Sequence, residues 1–438
     1  MNAEYYRLLK DFIAFKTVSG VEEYKQDCKN CVNWLEDLFR QNDFQVKKII
    51  KYGVPILVAN YVANPDFETI LIYGNYDTTF AQKKDGRKDE PFSLYLWKDE
   101  IIWKWTAEWK WILLLQILAV CNLIKENKLK YNVSFLIDGE RYSWSNWIKT
   151  LLQESLFLQN EWLDADCVFA SIWHLISGTP TINSWFRWWF NTTINLKVSN
   201  QKNNINHFGW LIVNPALEWA KLVSKLYGLN HQISIPYFYY EVDEISANQK
   251  TINWRIPFDK EKILEYLGTK NLRMDEDMDF YSKSSYRPCI EVTWFHSGDT
   301  TDTIPESATI DLSAKLVSNQ KTASIQTLFE DWINKNIPND IEYDVNFSCH
   351  SDPIKIQLQN VYAENAMKVL ESVYGKKTIQ ISSWYTLPVA KLMQEKISAN
   401  IINIPMVNDT CNIHSLMENV EIDKIEKWYQ FMYEFLKK

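Results

Sequence analysis

The sequence predicts an α/β protein: a mostly parallel sheet with helices on both faces, plus an inserted α+β domain. Three observations predict it. Short apolar runs at 69–73, 131–138 and 166–171 read as strands buried on both faces. Segments of helical period lie between them. From about Phe190 the texture turns to strict alternation, as in Asn191–Ser199, and the first pattern resumes after Pro353.

The elements follow in order. Tyr6, Leu9, Phe12 and Phe15 recur at helical spacing, and a second helix runs from Glu22 to Phe39 after the Ser19-Gly20 break. Strands are expected near 44–50, 55–62 and 69–74, a helix at 112–125, a strand at 131–138, a helix near 146–158 and a strand at 166–171. In the inserted part, 191–199, 290–295 and 308–317 read as strands. Helices there are expected at 214–227, with Pro215 at an N-terminal position, and at 325–335. The last third holds helices at 358–373, 387–396 and 423–436, and a strand at 400–404. The implied division is residues 1–187 and 354–438 for the α/β domain and 188–353 for the insert.

Bulk properties limit the function classes. A chain of 438 residues is too long for one compact core. Its net charge of −8 argues against nucleic acid or an anionic membrane as partner. There is no apolar run long enough to span a bilayer, and the acidic amphipathic start does not read as a signal peptide. Seven scattered cysteines suit a reducing cytoplasm. Cys28 and Cys31 form a CxxC with no second pair, and read as ordinary helix residues.

The stretch Ile70–Trp111 is the organising feature. A buried strand stops at Gly74 and delivers Asn75, Tyr76 and Asp77 at its C-terminal end, where α/β enzymes place reactive groups. Glu108 follows, just before a buried helix. Two strand-end polar groups and an acid in that arrangement could cradle a metal.

Several fragments, in this order and spacing, resemble the dinuclear zinc metallopeptidase and aminoacylase family, in its carnosinase and cytosolic-dipeptidase branch. They are GNYD, EPFSLYLWKDEIIWKWTAEWKW, IDGERYSWS, GTPTINSWFRWW, NHFGWLIVNPALEWAKLVSKL, IPYFYYEV, RPCIEVTWFHSGDTTDTIPESATIDLSAKLVSNQ and DTCNIHSLMEN. The resemblance implies a zinc-peptidase-like catalytic domain with an inserted lid that dimerises. It also implies two zinc ions sharing a carboxylate and a water, a glutamate base, and lid residues that grip the substrate.

Carried over position by position, the resemblance departs from this pattern. The first histidine ligand falls on Asn75, and the aspartate that orients it is kept as Asp77. The bridging carboxylate falls on Glu108. The base and a ligand glutamate fall on Arg141 and Tyr142, with Glu140 one residue too early; the next acidic ligand falls on Ile172. The last histidine ligand is kept as His414. In the lid, the oxyanion histidine falls on Asn204 and the carboxylate-gripping arginine on Lys315. His414 and Glu108 are thus the residual metal candidates, and two ligands do not hold a catalytic zinc. The general base is lost, with a cation in its place.

The expected function is a dipeptidase-like homologue with an eroded metal site, weakly active or inactive as a zinc hydrolase. The alternative is an active hydrolase of dipeptides or N-acyl amino acids with a remodelled site. Either way the expected partners are a small peptide or amino-acid derivative and a second copy of the chain bound through 188–353.

One imbalance stands apart. The chain has 20 Trp and 11 Gly, where ordinary usage would give about 30 Gly. Trp103, Trp105, Trp111, Trp144, Trp188, Trp210, Trp294 and Trp384 fall where the resembled family has glycine, which raises the expectation of a codon misread as tryptophan.

Overall fold

The structure is a computed structural model. It describes all residues except 1–2, 52, 79–91, 104–106, 144, 155–161, 173–174, 176–177, 229–230, 276, 299–301, 349–351, 384–386, 388, 408–410, 412–417 and 438.

The central sheet has six strands in the spatial order 45–49, 56–61, 132–138, 69–75, 167–170, 400–403. The last three pairings are parallel. The first two strands form an antiparallel hairpin at one edge and join antiparallel to Asn132–Asp138. Asn132–Asp138 is buried along its whole length, and Thr69–Asn75 is buried from its second residue on. Continuous burial of that kind requires cover on both faces, which is why these strands read as unbroken apolar runs.

The helix expected at 112–125 begins earlier, at Ala107. It is apolar nearly all round, as suits a helix enclosed by others. It lies against Thr69–Asn75 and against the helices Ala3–Ala14 and Ile422–Lys437. A Cβ on Gly74 would come within 2.9 Å of the Leu113 side chain, so the missing side chain sets the helix-to-strand approach. Lys110, in this helix, is fully buried. Its ammonium donates to the Phe12 and Phe15 carbonyls at 3.0 and 2.8 Å, closing the C-terminal end of the first helix. Burial pushes that ammonium down to about 8.

The inserted part has its own core. Strands Cys289–His296, Ser307–Leu316, Trp188–Lys197 and Glu342–Ser348 form an antiparallel sheet in that order. The two inner strands alternate buried and half-buried residues. Their buried face meets the helices Pro215–Leu226 and Thr322–Asn336 through Trp219, Leu222, Ile325 and Phe329. Asn214 caps the first of these by accepting from Ala216 N and Leu217 N, with Pro215 in the first turn.

Arg187 sits at the start of this sheet, between strands Thr181–Phe186 and Trp188–Lys197. It is buried, and its partners include three carbonyls, Ser284 O, Arg287 O at 2.8 Å and Leu316 O at 3.5 Å, and the Cys289 side chain. Burial pushes this guanidinium below its ordinary range. The short helices Ala247–Arg255, Lys260–Leu267 and Phe280–Tyr286 complete the insert.

Candidate functional site

The site is built where three parallel strands end side by side. Asn75, the last residue of its strand, is in register with Asp138, and Tyr73 is in register with Ala170. Just beyond these ends lie Asp77, the turn Gly139–Ser143, and Ser171-Ile172. Gly139 is required in that turn, because a Cβ there would overlap the Tyr76 hydroxyl and come within 2.7 Å of Val54. Tyr76 is itself fixed, donating its hydroxyl to Pro55 O at 2.7 Å and its N–H to Asp138 O at 2.9 Å.

Asp77 is fully enclosed and collects three side-chain or backbone donors. Asn75 Nδ2 reaches its Oδ1 at 2.8 Å; Ser19 Oγ and the Tyr142 N–H both reach Oδ2 at 3.0 Å. It therefore ties the strand end to the segment Ser19-Gly20 between the first helices and to the turn after Asp138. Asn75 turns its amide nitrogen to this carboxylate. That leaves its Oδ1 buried and without a hydrogen-bond partner among the described residues. Asp138 accepts from the Tyr73 hydroxyl at 3.0 Å and the Glu140 N–H at 2.8 Å. Burial, and for Asp77 also the charge on Asp138, holds both carboxyls above the usual carboxylate range.

Glu140 accepts from the Trp147 N–H at 3.3 Å, and burial pushes it up to about 7. Unfolded carboxylates ionise near about 4. Between about 4 and 7 the folded state then binds more protons than the unfolded one, and stability falls as pH rises through that window. Glu140→Gln is expected to flatten that part of the profile. The check is thermal unfolding of both proteins from acid to neutral pH; parallel curves would refute it.

Arg141 begins a short 3-10 turn, Arg141–Ser143. Its guanidinium lies 5.7 Å over the Trp109 ring, and its charge acts on Asp138. Tyr142 contributes its backbone N–H to Asp77. Ile172 is buried, with its N–H donated to Asn403 Oδ1 at 3.0 Å. Asn403 in turn donates to Asn183 Oδ1 at 2.6 Å. An uncharged amide relay thus occupies the end of the third strand.

The remaining positions from the sequence are as follows. Glu108 is on the first turn of helix Ala107–Lys125, but its side chain lies outside the described residues, as does all of His414. Lys315 is an exposed position on strand Ser307–Leu316, in register with Cys289 and Trp189. Asn204 caps the turn of helix Ile205–Phe208, its Oδ1 accepting from Asn206 N at 2.9 Å. The structure adds Ser19, Tyr73 and Asp138, which the sequence reading left out. Asp138 carried a signal, since it is an acid ending a buried strand and followed by glycine. Ser19 carried none.

Three of the described positions, Asn75, Arg141 and Ile172, carry no zinc donor of the usual kinds. Zinc takes imidazole, thiolate and carboxylate donors. Here the strand end offers an amide whose nitrogen is committed to Asp77. The neighbouring turn offers a guanidinium. The third strand end offers an apolar side chain. Among the described residues no group of three or more His, Cys, Asp or Glu could hold a metal ion.

Residues 191–341 match the peptidase dimerisation domain family. The Beta-Ala-His dipeptidase of Mus musculus is 21% identical over 85% of this chain and 76% of its own length. The Cys-Gly metallodipeptidase dug1 of Schizosaccharomyces pombe is 23% identical over 85% of this chain and 80% of its own. An M20 family metallo-carboxypeptidase from Sulfolobus solfataricus superposes with a TM-score of 0.85 at 22% identity, covering 100% of this chain and 99% of that one. The fold is that of the M20 peptidases, with the dimerisation domain as its inserted part.

Proposed function

We propose that this dipeptidase-like homologue of the M20 peptidases has an eroded metal site and little or no activity as a zinc hydrolase. Its retained cleft would bind a small peptide or amino-acid derivative. Two observations carry this reading, Asn75 at the strand end and Arg141 in the adjoining turn. The amide at the strand end spends its donor on Asp77 at 2.8 Å. Its remaining group is a carbonyl-type oxygen, a ligand for hard cations rather than zinc. Arg141 adds a fixed positive charge to the adjoining turn, against a dication.

The experiment is metal analysis of the purified chain together with hydrolysis of β-Ala-His and Cys-Gly, the substrates in the names of its relatives. The expected result is substoichiometric zinc and no turnover above background. Stoichiometric zinc with turnover abolished by His414→Ala would overturn the reading in favour of an active hydrolase with a remodelled site.

A homodimer through residues 188–353 is part of the same proposal. Strand Cys289–His296 is an edge of the antiparallel sheet. It exposes Val292 at 38% and Phe295 at 46%, and Phe208 and Leu211 in the Ile205–Phe208 region are exposed as well. An unpaired edge with apolar side chains is a template for a second strand. The double variant Val292→Lys, Phe295→Lys is expected to elute as a monomer where the parent elutes as a dimer. Light scattering checks this, and an unchanged dimer mass would place the interface elsewhere.

The six described cysteines are all free, which supports a reducing, cytoplasmic setting. Among the described residues no helix is long and apolar enough to cross a membrane.

A further inference from the structure

Among the described residues, tryptophans of two kinds are found by what their backbones and rings do. One kind behaves as tryptophan does. Trp428 is fully buried and edge-on to Phe431, with centroids 5.4 Å apart. Trp219 is buried and donates its indole N–H to Ala308 O at 3.2 Å. Trp34 stacks on Phe12 at 5.2 Å.

Trp210 behaves otherwise. Residues Phe208 to Leu211 form a turn closed by Leu211 N–H to Phe208 O at 3.0 Å. Gly209 holds φ −53° and ψ 132°, and Trp210 follows with φ +66°. Those angles describe a type II turn, whose third residue must adopt positive φ and is therefore normally glycine. A bulky side chain at positive φ is strained, and only packing around the ring could offset that. The Trp210 side chain is 100% exposed and has no such packing. Trp162 is a second tryptophan in the left-handed region, at φ +57°. Trp294 borders a register shift in the edge strand Cys289–His296, a place where glycine often serves, and its ring is half exposed. The count points the same way, with 20 Trp beside 11 Gly in 438 residues.

We propose that Trp210, and the tryptophans that share its glycine-like placement, stand at codons that the organism encoding this chain reads as glycine. UGA is the codon that fits, since it is read as tryptophan in some genetic codes and as glycine in others. The molecule made in its own host then has a Gly209-Gly turn at this point. The buried tryptophans, Trp428 and Trp219 among them, remain tryptophan; so do Trp111 and Trp188, which are buried and therefore depart from the glycine placement expected of them from sequence.

The test compares unfolding temperatures of the parent, Trp210→Gly, Trp210→Ala and Trp428→Gly. Trp210→Gly is expected to raise the midpoint by about 2 °C or more, in line with relief of one strained left-handed residue. Trp210→Ala should gain less, because alanine keeps the Cβ penalty at positive φ. Trp428→Gly should lose many degrees by opening a core cavity. A midpoint unchanged or lowered in Trp210→Gly overturns the proposal, and lowering would mark the indole as a contact in the dimer. Peptide mass analysis of the chain from its own host gives a second arm. Glycine at position 210 with tryptophan at 428 supports the proposal, and tryptophan at both overturns it.

Discussion

A chain carrying Asn75→His, Arg141→Glu, Tyr142→Glu and Ile172→Asp is expected to bind zinc at least about a hundredfold more tightly than the parent. Each substitution answers a specific feature of the site. An imidazole at position 75 can donate one ring nitrogen to Asp77, as the amide now does at 2.8 Å, and present the other to a metal. An amide cannot do both with good zinc donors. Replacing Arg141 removes a cation and adds a carboxylate, a change of two charge units next to a dication. Tyr142 already fastens its backbone to Asp77 Oδ2, so a glutamate there starts from a fixed position. Ile172 is the costly change, since it places a carboxylate in a buried spot ringed by the Asn403 and Asn183 amides. The triple variant without it is therefore the control for misfolding. Isothermal titration with zinc checks the expectation. Equal affinity in parent and variants would show that ligand loss at these positions does not govern metal binding, and the proposed function would fall with it.

Arg187→Met is expected to destabilise the fold by about 3–5 kcal/mol. The guanidinium is buried and holds the carbonyls of Ser284, Arg287 and Leu316. Methionine keeps much of the volume and none of the donors. Each buried carbonyl left unpaired costs about 1–3 kcal/mol. Arg187 joins the C-terminal end of helix Phe280–Tyr286, through Ser284 and Arg287, to the last residue of strand Ser307–Leu316, so the loss should also loosen the short helices of the insert. Denaturant unfolding followed by amide exchange at 280–287 checks both effects. Arg187→Lys should recover only part of the stability, because an ammonium cannot reach three carbonyls arranged around a planar fork. A loss under 1 kcal/mol, the size of a surface change, would refute the clamp.

Arg187 also shows where sequence reading stops. Nothing in the sequence around Arg187 announces its partners, which include backbone carbonyls about 100 residues away. The three short helices of the insert were not legible either. Ala247–Arg255 buries only Asn253 and Lys260–Leu267 buries nothing, so neither has an apolar stripe for periodicity to reveal. Strand Thr181–Phe186 escaped for a related reason. It is defined by a parallel partner, Ile379–Ser383, that no local pattern announces.

By itself the sequence determined the order of the elements, the two textures of the chain and the strand end at Asn75. Burial at i, i+2 or i, i+3, i+4 is written into neighbouring residues, so these features need no knowledge of distant contacts. It also showed which side chains stand at that strand end: Asn75, Tyr76 and Asp77. Only the tertiary structure decided how those side chains are used. The register of Thr69–Asn75 against Asn132–Asp138 brings the Tyr142 N–H, 65 positions on, to the Asp77 carboxylate. The Asn403 amide reaches Ile172 across 231 positions. The left-handed turn at Trp210 is likewise a backbone fact, fixed by the hydrogen bond that closes it. Hydrogen bonds of buried polar groups are settled by which strand ends meet, and that is a property of the assembled sheet.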